Sequence, residues 1–434
     1  MNHPTGKPTR TPMKIALISD IHGNLPALRA VLRHAEGQGA ANLILNFGDS
    51  VGYGSQPDQV IQWIRDSRFI NILGNYDQKV LSKKHRESGW SSVKPPDKQK
   101  MFAWTYDSLS KKSRRYLKSL PQRRSLTIED VQIAMSHAFP DPEYEFLVPE
   151  IPIQSLEALA RKVGADVILS GHSHRALQRT ADGVCFINPG SLGRPDDGDP
   201  RASYAILILD KGRIQTTFYR IAYNITETIQ AVRRTGLPEI FTEVIRQGMN
   251  YDDVTRFLEK NPDSHSLEPC GTLSLLTDFG LKNHFAGVMK GVIAEIAPQA
   301  KIIDISHQVD SNNVYEAAKI LKKTAPYFPA GTVHVAVVGA GVDTFRRMLA
   351  AQIGLQFFVA PDNGLLTPLI QDARENGKDL LIVAVNRPQY WLTKPDSTFQ
   401  FRDILAPIGA HLVNGVPLQK LGEEIDRPRL IDFP

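Results

Sequence analysis

Lys14-Ile15-Ala16-Leu17-Ile18-Ser19-Asp20-Ile21-His22-Gly23-Asn24 is an apolar run that stops abruptly at a carboxylate, an imidazole and a glycine. Such a run bounded by turn formers reads as a buried strand, and Leu25 to His34, apolar at helical spacing, reads as the helix after it. The same unit recurs along the chain. Asn42 to Phe47 ends at Gly48-Asp49, and Phe69 to Leu73 at Gly74-Asn75-Tyr76-Asp77. Val131 to Met135 ends at Ser136-His137, and Asp166 to Leu169 at Gly171-His172-Ser173-His174. Ligands collect at the carboxyl ends of strands in sheets built this way. Strand alternation is expected to send His172 and His174 to one face.

Each signature alone has an ordinary structural reading: a helix cap at Asp20, a turn at Gly48-Asp49, a hydrogen-bonded core histidine at His137. Five in order, each closing a strand, point elsewhere. Asp20, His22, Asp49, Asn75, His137, His172 and His174 form a Cys-free oxygen and nitrogen donor set. It suits two divalent transition metals sharing a carboxylate, manganese first, with iron, zinc, nickel or cobalt as alternatives. A phosphate ester is anionic and repels hydroxide, so its hydrolysis is the reaction that such a metal pair assists best.

The series D-x-H, G-D, G-N-x-D, H and G-H-x-H is similar to the calcineurin-like metallophosphoesterase superfamily. Asn188-Pro-Gly-Ser-Leu-Gly193, followed by Gly198-Asp-Pro-Arg-Ala-Ser-Tyr204, resembles its small bacterial and archaeal phosphodiesterase branch. The likeness spans Met13 to Ile221 and implies a four-layer α/β/β/α sandwich. It implies Asp20, His22 and His174 on the first metal, Asp49 as the bridge, and Asn75, His137 and His172 on the second. The residue after Asn75 is often His in that superfamily, where it helps to protonate the leaving group; here it is Tyr76. A phenol of pKa near 10 is a poorer acid than an imidazolium near 6.5, so weak leaving-group assistance is expected. By the same resemblance Asp77 orients whatever proton donor or water replaces the His.

The 434 residues, 42% hydrophobic and 22% charged, suit two soluble domains. The formal charge of +5 favours anionic substrates without marking a nucleic-acid platform. Cys185 and Cys270 make no disulfide framework, and no apolar run is long enough to span a membrane. Residues 1–12 read as a flexible tail rather than a signal peptide, so a cytoplasmic location is expected. The boundaries read 13–222 for the first domain, 223–269 for a helical segment and proline-bounded linker, and 270–434 for a second α/β domain. Thr226 to Leu258 reads as helical with a break at Leu237-Pro238, and Trp104 to Leu120 has helical spacing. The basic stretch Lys83 to Arg124 is either a solvated face or a rim attracting phosphate esters.

In the second half, Ser274-Leu-Leu-Thr-Asp-Phe-Gly280, Ile303-Asp-Ile-Ser-His307 and Ala360-Pro-Asp-Asn-Gly-Leu-Leu-Thr-Pro368 resemble one family. It is the N-terminal domain of S-adenosylmethionine hydrolases (hydroxide adenosyltransferases) and fluorinases. The resemblance implies that Asp278 contacts ribose hydroxyls, with Arg346, Asp362 and Asn363 completing a nucleoside site. Two catalytic positions of the hydrolase branch are lost, an Asp replaced by Gly339 and a His by Gln400. Asp343 is the one nearby carboxylate that could compensate. The family's C-terminal β domain is expected to be missing, and a homo-oligomer, a trimer by resemblance, is the implied assembly.

The resulting expectation is a metal-dependent phosphoesterase acting on a small phosphate ester or nucleotide, with a catalytically depleted domain that binds adenosine or S-adenosylmethionine or serves assembly. No membrane and no specific nucleic acid is expected as a partner. The alternatives are a bifunctional enzyme that also hydrolyses S-adenosylmethionine, and a non-catalytic metal-binding scaffold. Substrate choice falls to the loops Tyr53 to Asp58, Lys83 to Trp104 and Asp141 to Ile151.

Overall fold

The structure, a computed structural model, describes residues 12–67, 69–82, 95–139, 147–260, 267–339, 346–392 and 395–433. Two units emerge, one from the residues up to Ile221 with Thr228–Arg256, the other from Ala222–Glu227 with the chain from Phe257 onward.

The first unit opens with β1 (Met13–Ile18), α1 (Leu25–Gly37), β2 (Ile44–Asn46), α2 (Pro57–Asp66), β3 (Phe69–Asn71) and α3 (Asn75–Ser82). There follow α4 (Pro96–Ser108), α5 (Lys111–Ser119), β4 (Arg123–Ile128), β5 (Val131–Ser136), α6 (Ile153–Val163) and β6 (Val167–Leu169). The strands β7 (Ala176–Ala181), β8 (Val184–Pro189), β9 (Ala202–Asp210) and β10 (Arg213–Ile221) precede the helices α7 (Ile225–Arg234), α8 (Ile240–Gln247) and α9 (Tyr251–Lys260).

Two five-stranded sheets result, ordered β10-β9-β1-β2-β3 and β4-β5-β6-β8-β7. Within them β1-β2-β3 and β5-β6-β8 run parallel, with antiparallel neighbours outside. Ile15, Leu17, Leu45 and Phe47 of the first sheet meet Ile133, Met135, Leu169 and Ile187 of the second in one buried core. Each such side chain contributes roughly 1.5–3 kcal/mol by leaving water. The outer face of the second sheet buries Ala134, Ile168 and Phe186 against Leu156 and Ala160 of α6. On the first sheet, α1 lies against β9 and β10. The α/β/β/α order is the expected one.

Three local readings differ. Trp104 to Leu120 is two helices, because Leu109 turns extended and Ser110 caps α5 by accepting from the Ser113 N–H. The helical segment breaks a second time at Gly248, whose left-handed conformation ends α8. The edge strands β4 and β7 were not legible; β4 is mostly exposed, with only Leu126 and Ile128 turned to the core. Residues 1–11 and most of the expected linker, 261–266, lie outside the described residues.

The second unit contains β11 (Thr272–Thr277), α10 (Phe285–Ile296), β12 (Lys301–Ser306), α11 (Val314–Thr324), β13 (Val333–Val337) and β14 (Met348–Ile353). It continues with β15 (Gln356–Pro361), α12 (Thr367–Glu375), β16 (Leu380–Val385), α13 (Ala406–Val413) and β17 (Gly422–Glu424). One mixed sheet runs β12-β11-β13-β15-β14-β16-β17, parallel through β15 and antiparallel after it. Among the described residues no helix is long and apolar enough to cross a membrane.

Candidate metal centre

Strand order decides which loops of the first unit meet. The loops after β1 and β2 are joined by backbone hydrogen bonds from Asp20 N to Gly48 O, His22 N to Asp49 O and Gly23 N to Ser50 O. The loop after β3 presses on the second so closely that a Cβ on Gly74 would lie 2.1 Å from both the Asp49 nitrogen and its Oδ1. From the other sheet, the loop after β6 meets Asp20: the His172 N–H donates to Asp20 Oδ2 at 3.1 Å. A Cβ on Gly171 would lie 1.9 Å from Ser19 Oγ and 2.6 Å from Asp20 Oδ2. Both glycines are there because nothing larger fits.

The stretch Asn188 to Gly193 ties these loops together. Asn188 Nδ2 donates to Gly171 O and Ser173 Oγ, and Ser191 Oγ donates to Asp20 O. Leu192 N and Gly193 N donate to Ser19 O and Asp20 O.

Two groups of donors converge. In the first, His174 Nε2 lies 3.1 Å from Asp20 Oδ1 and 3.2 Å from His22 Nε2, with His22 Nε2 3.9 Å from Asp20 Oδ1. In the second, His137 Nε2 lies 3.3 Å from Asp49 Oδ2 and 3.0 Å from Asn75 Oδ1. His172 Nδ1 is 3.2 Å from both Asn75 Oδ1 and His137 Nε2. Bonds of ~2.1 Å at ordinary coordination angles space neighbouring donors about 3.0–3.4 Å apart, so both groups have cation-sized centres.

Tautomers agree with this. Nδ1 of His22, His137 and His174 faces the carbonyls of Val51, Phe47 and Arg194, at 3.3, 2.8 and 2.7 Å. A carbonyl only accepts, so Nδ1 carries the proton and Nε2 is aimed into the site. Asp20 Oδ1 is fully buried and has no hydrogen-bond partner among the described residues. The residues therefore fit a pair of divalent cations.

The two carboxylates draw positive charge to this place, against burial and the neighbouring cationic rings. Burial alone would raise the Asp20 carboxyl, but His174, His137 and His22 outweigh it and hold it well below the ordinary carboxylate range. Burial opposes charge on His137 too, and Asp49 and Asp20 overcome it, pushing the ring up to about 9. His22 is pushed down to about 3, by burial first and by His174 next.

One expectation changes in detail. β6 ends at Leu169, so His172 and His174 do not alternate along a strand; they turn inward through left-handed conformations of φ 70° and 57°. Asp20, His22 and Asp49 do the same at φ 55°, 49° and 50°, each costing about 1 kcal/mol or more. Asp20 falls in both sets of close donors, with His22 and His174 in one and with Asp49 and His137 in the other, and Asp49 Oδ1 accepts from the Tyr76 N–H at 2.7 Å. The oxygens of Asp77 accept from Val51 N and Gly74 N, both at 3.1 Å, bracing two loops. The Tyr76 hydroxyl meets the Tyr53 hydroxyl at 3.1 Å, and burial, with Tyr53 beside it, raises its pKa well above the ordinary value.

Residues 13–212 match the calcineurin-like phosphoesterase superfamily domain. An uncharacterized protein of Methanocaldococcus jannaschii is 32% identical over 244 residues, 52% of this chain and 94% of that one. The chain belongs to the calcineurin-like phosphoesterase superfamily. A solved metallophosphoesterase from Sphaerobacter thermophilus is 29% identical at a TM-score of 0.45, covering 55% of this chain and all of its own. After this phosphoesterase domain, residues 273–422 match the SAM hydroxide adenosyltransferase N-terminal domain. An (R)-S-adenosyl-L-methionine hydrolase from Salinispora arenicola is 38% identical over 162 residues, 37% of this chain and 60% of that protein. The chain thus spans about three fifths of the curated hydrolases it matches in its second half.

That second half places Asp278, Arg346 and Asn363 around the backbone of Gly339. Asp278 Oδ2 accepts from Gly339 N at 3.2 Å and Asn312 N at 3.0 Å. Arg346 Nη1 and Asn363 Nδ2 donate to Gly339 O at 3.4 and 3.2 Å. Asp362 turns away from them, ion-paired to Arg347 and accepting from the Arg429 N–H, so its carboxylate is already committed. Gln400 is buried at the start of a helical turn, and Asp343 lies outside the described residues.

Two residues beside the first donor group escaped the sequence reading. Arg194 and Asp196 form a buried, two-pronged ion pair, and the Arg194 guanidinium lies 4.4 Å over the Tyr53 ring. The available signal was a charged pair, Arg194-Pro195-Asp196, inside a run of turn formers directly after Gly193.

Proposed function

We propose that the first unit is a dinuclear-metal phosphoesterase that hydrolyses a phosphate ester with water as the nucleophile. What supports this most directly is the convergence of Asp20, His22 and His174 on one centre and of Asp49, Asn75, His137 and His172 on a second. Two cations held there would neutralise the phosphoryl charge and lower the pKa of a water between them. Asp20 and Asp49 supply the anionic charge that holds them. The backbone carbonyls of Val51, Phe47 and Arg194 fix three ring orientations in advance, and the buried loop hydrogen bonds keep bulk water from competing for the donors.

Proton donation to the leaving group falls to Tyr76 in this reading, a phenol already hydrogen-bonded to a second phenol. Such a donor is weak at neutral pH, so esters of acidic alcohols turn over faster. The purified protein with Mn²⁺ should hydrolyse aryl phosphate esters at least tenfold faster than alkyl ones, and Asp49→Asn should abolish both rates. A wild-type protein that takes up metal but is inert towards monoesters and diesters alike would instead be a metal-binding scaffold.

For the second unit we propose a nucleoside-binding or assembly role without the hydrolase chemistry. Gly339 and Gln400 stand where the hydrolase branch has its Asp and His, and neither can take a proton from water. Adenosine released from S-adenosylmethionine by the purified protein would overturn this.

A further inference from the structure

The Arg194 guanidinium is buried, with one edge engaged and the Nε–H of the other edge unpaired among the described residues. Nη1 and Nη2 donate to Asp196 Oδ1 and Oδ2 at 3.0 and 3.3 Å, which uses the end-on edge of the fork. The side-on edge consists of Nε and the other Nη2 hydrogen. Nε is buried and has no hydrogen-bond partner among the described residues. Nη2 lies 3.4 Å from His174 Nε2, the ring nitrogen aimed at the first donor group. The unpaired Nε–H, on the edge of the guanidinium that borders the first donor group, suits an oxygen of a phosphoryl group. The fork is also held rigidly. The Arg194 N–H donates to Ser191 Oγ at 2.9 Å, its carbonyl accepts from His174 Nδ1 at 2.7 Å, and its guanidinium rests on Tyr53.

We propose that Arg194 binds a phosphoryl oxygen of the substrate, and that the site is built for phosphomonoesters or terminal phosphates. This rests on the dinuclear reading above. The class follows from counting oxygens. A diester has two non-bridging oxygens, which two cations can both claim, whereas a monoester has a third left over for the guanidinium. The monoester also carries the extra negative charge that a further cation rewards.

The test uses the full-length protein loaded with Mn²⁺. Metal content is measured first, then inorganic phosphate affinity by calorimetry and the kinetics of 4-nitrophenyl phosphate and bis(4-nitrophenyl) phosphate. Arg194→Gln should retain its metal, bind inorganic phosphate at least tenfold more weakly, and lose at least tenfold more kcat/KM on the monoester than on the diester. Arg194→Lys should recover part of the phosphate affinity. Because Arg194→Gln leaves Asp196 buried without its partner, the double variant Arg194→Gln/Asp196→Asn keeps the test open if the single variant does not fold. Unchanged phosphate affinity, or equal losses on the two esters, overturns the role of Arg194 and leaves the metal centre standing. A wild-type protein that binds no metal overturns both.

Discussion

A single methyl group is enough to test how the donors are held. Asp20 owes its position to the close approach of Gly171, where a Cβ would stand 2.6 Å from Asp20 Oδ2 and 1.9 Å from Ser19 Oγ. These contacts are with buried atoms that have nowhere to go. Gly171→Ala should therefore displace Asp20 Oδ1 from both donor groups, lowering bound metal by at least one equivalent and hydrolysis by tenfold or more. Elemental analysis of the purified variant checks it, and full metal content would count against the placement of Asp20. Residue identities at the site were readable from sequence because each donor follows an apolar run. Their conformations were not. Five left-handed φ values at Asp20, His22, Asp49, His172 and His174 are sustained by loop contacts that no local pattern announces. The fork of Arg194 was missed for the same reason: its meaning depends on His174, Asp196 and Tyr53 arriving around it.

At the scale of elements, β13 of the second unit carries a liability at its second residue. His334 is fully buried there, bonded to Ser274 Oγ at 2.6 Å and stacked on Phe358, and burial pushes its pKa down to about 4. The unfolded chain takes up this proton near pH 6.5, whereas the folded strand resists it until about 4. The contribution of neutral His334 is thus fully present above pH 6.5 and is lost as pH falls towards 4. It amounts to roughly 3 kcal/mol across the window, at most ~1.4 kcal/mol per pH unit. Urea unfolding followed from pH 7.5 to 4.5 should show this loss, and His334→Gln should flatten it. Strands such as β1 and β6 were legible as short apolar runs. The edge strand β4 was not, because its two core-facing residues, Leu126 and Ile128, are too few to set a pattern in a mostly exposed, basic run.

For the molecule as a whole, the metal centre is also a source of stability, because a cation that binds the folded state alone shifts unfolding by mass action. One site at a hundredfold excess over its Kd contributes about 2.7 kcal/mol. Removal of metal with EDTA should lower the Tm of the first unit by roughly 5–10 °C, with recovery on adding Mn²⁺. An unchanged Tm would mean that the buried donors hold no metal. By itself the sequence determined the two domains, the donor types and their placement at strand ends, since apolar periodicity and turn residues act over a few positions. Only the tertiary structure decided which atoms meet. Asp20 and the His172 N–H are 152 residues apart, and the stacking of two sheets brings them together. That Asp20 joins both sets of donors, that Asp77 braces loops and that Arg194 lies beside His174 are outcomes of this packing, because distances across sheets are set by register and burial rather than by neighbours in the chain.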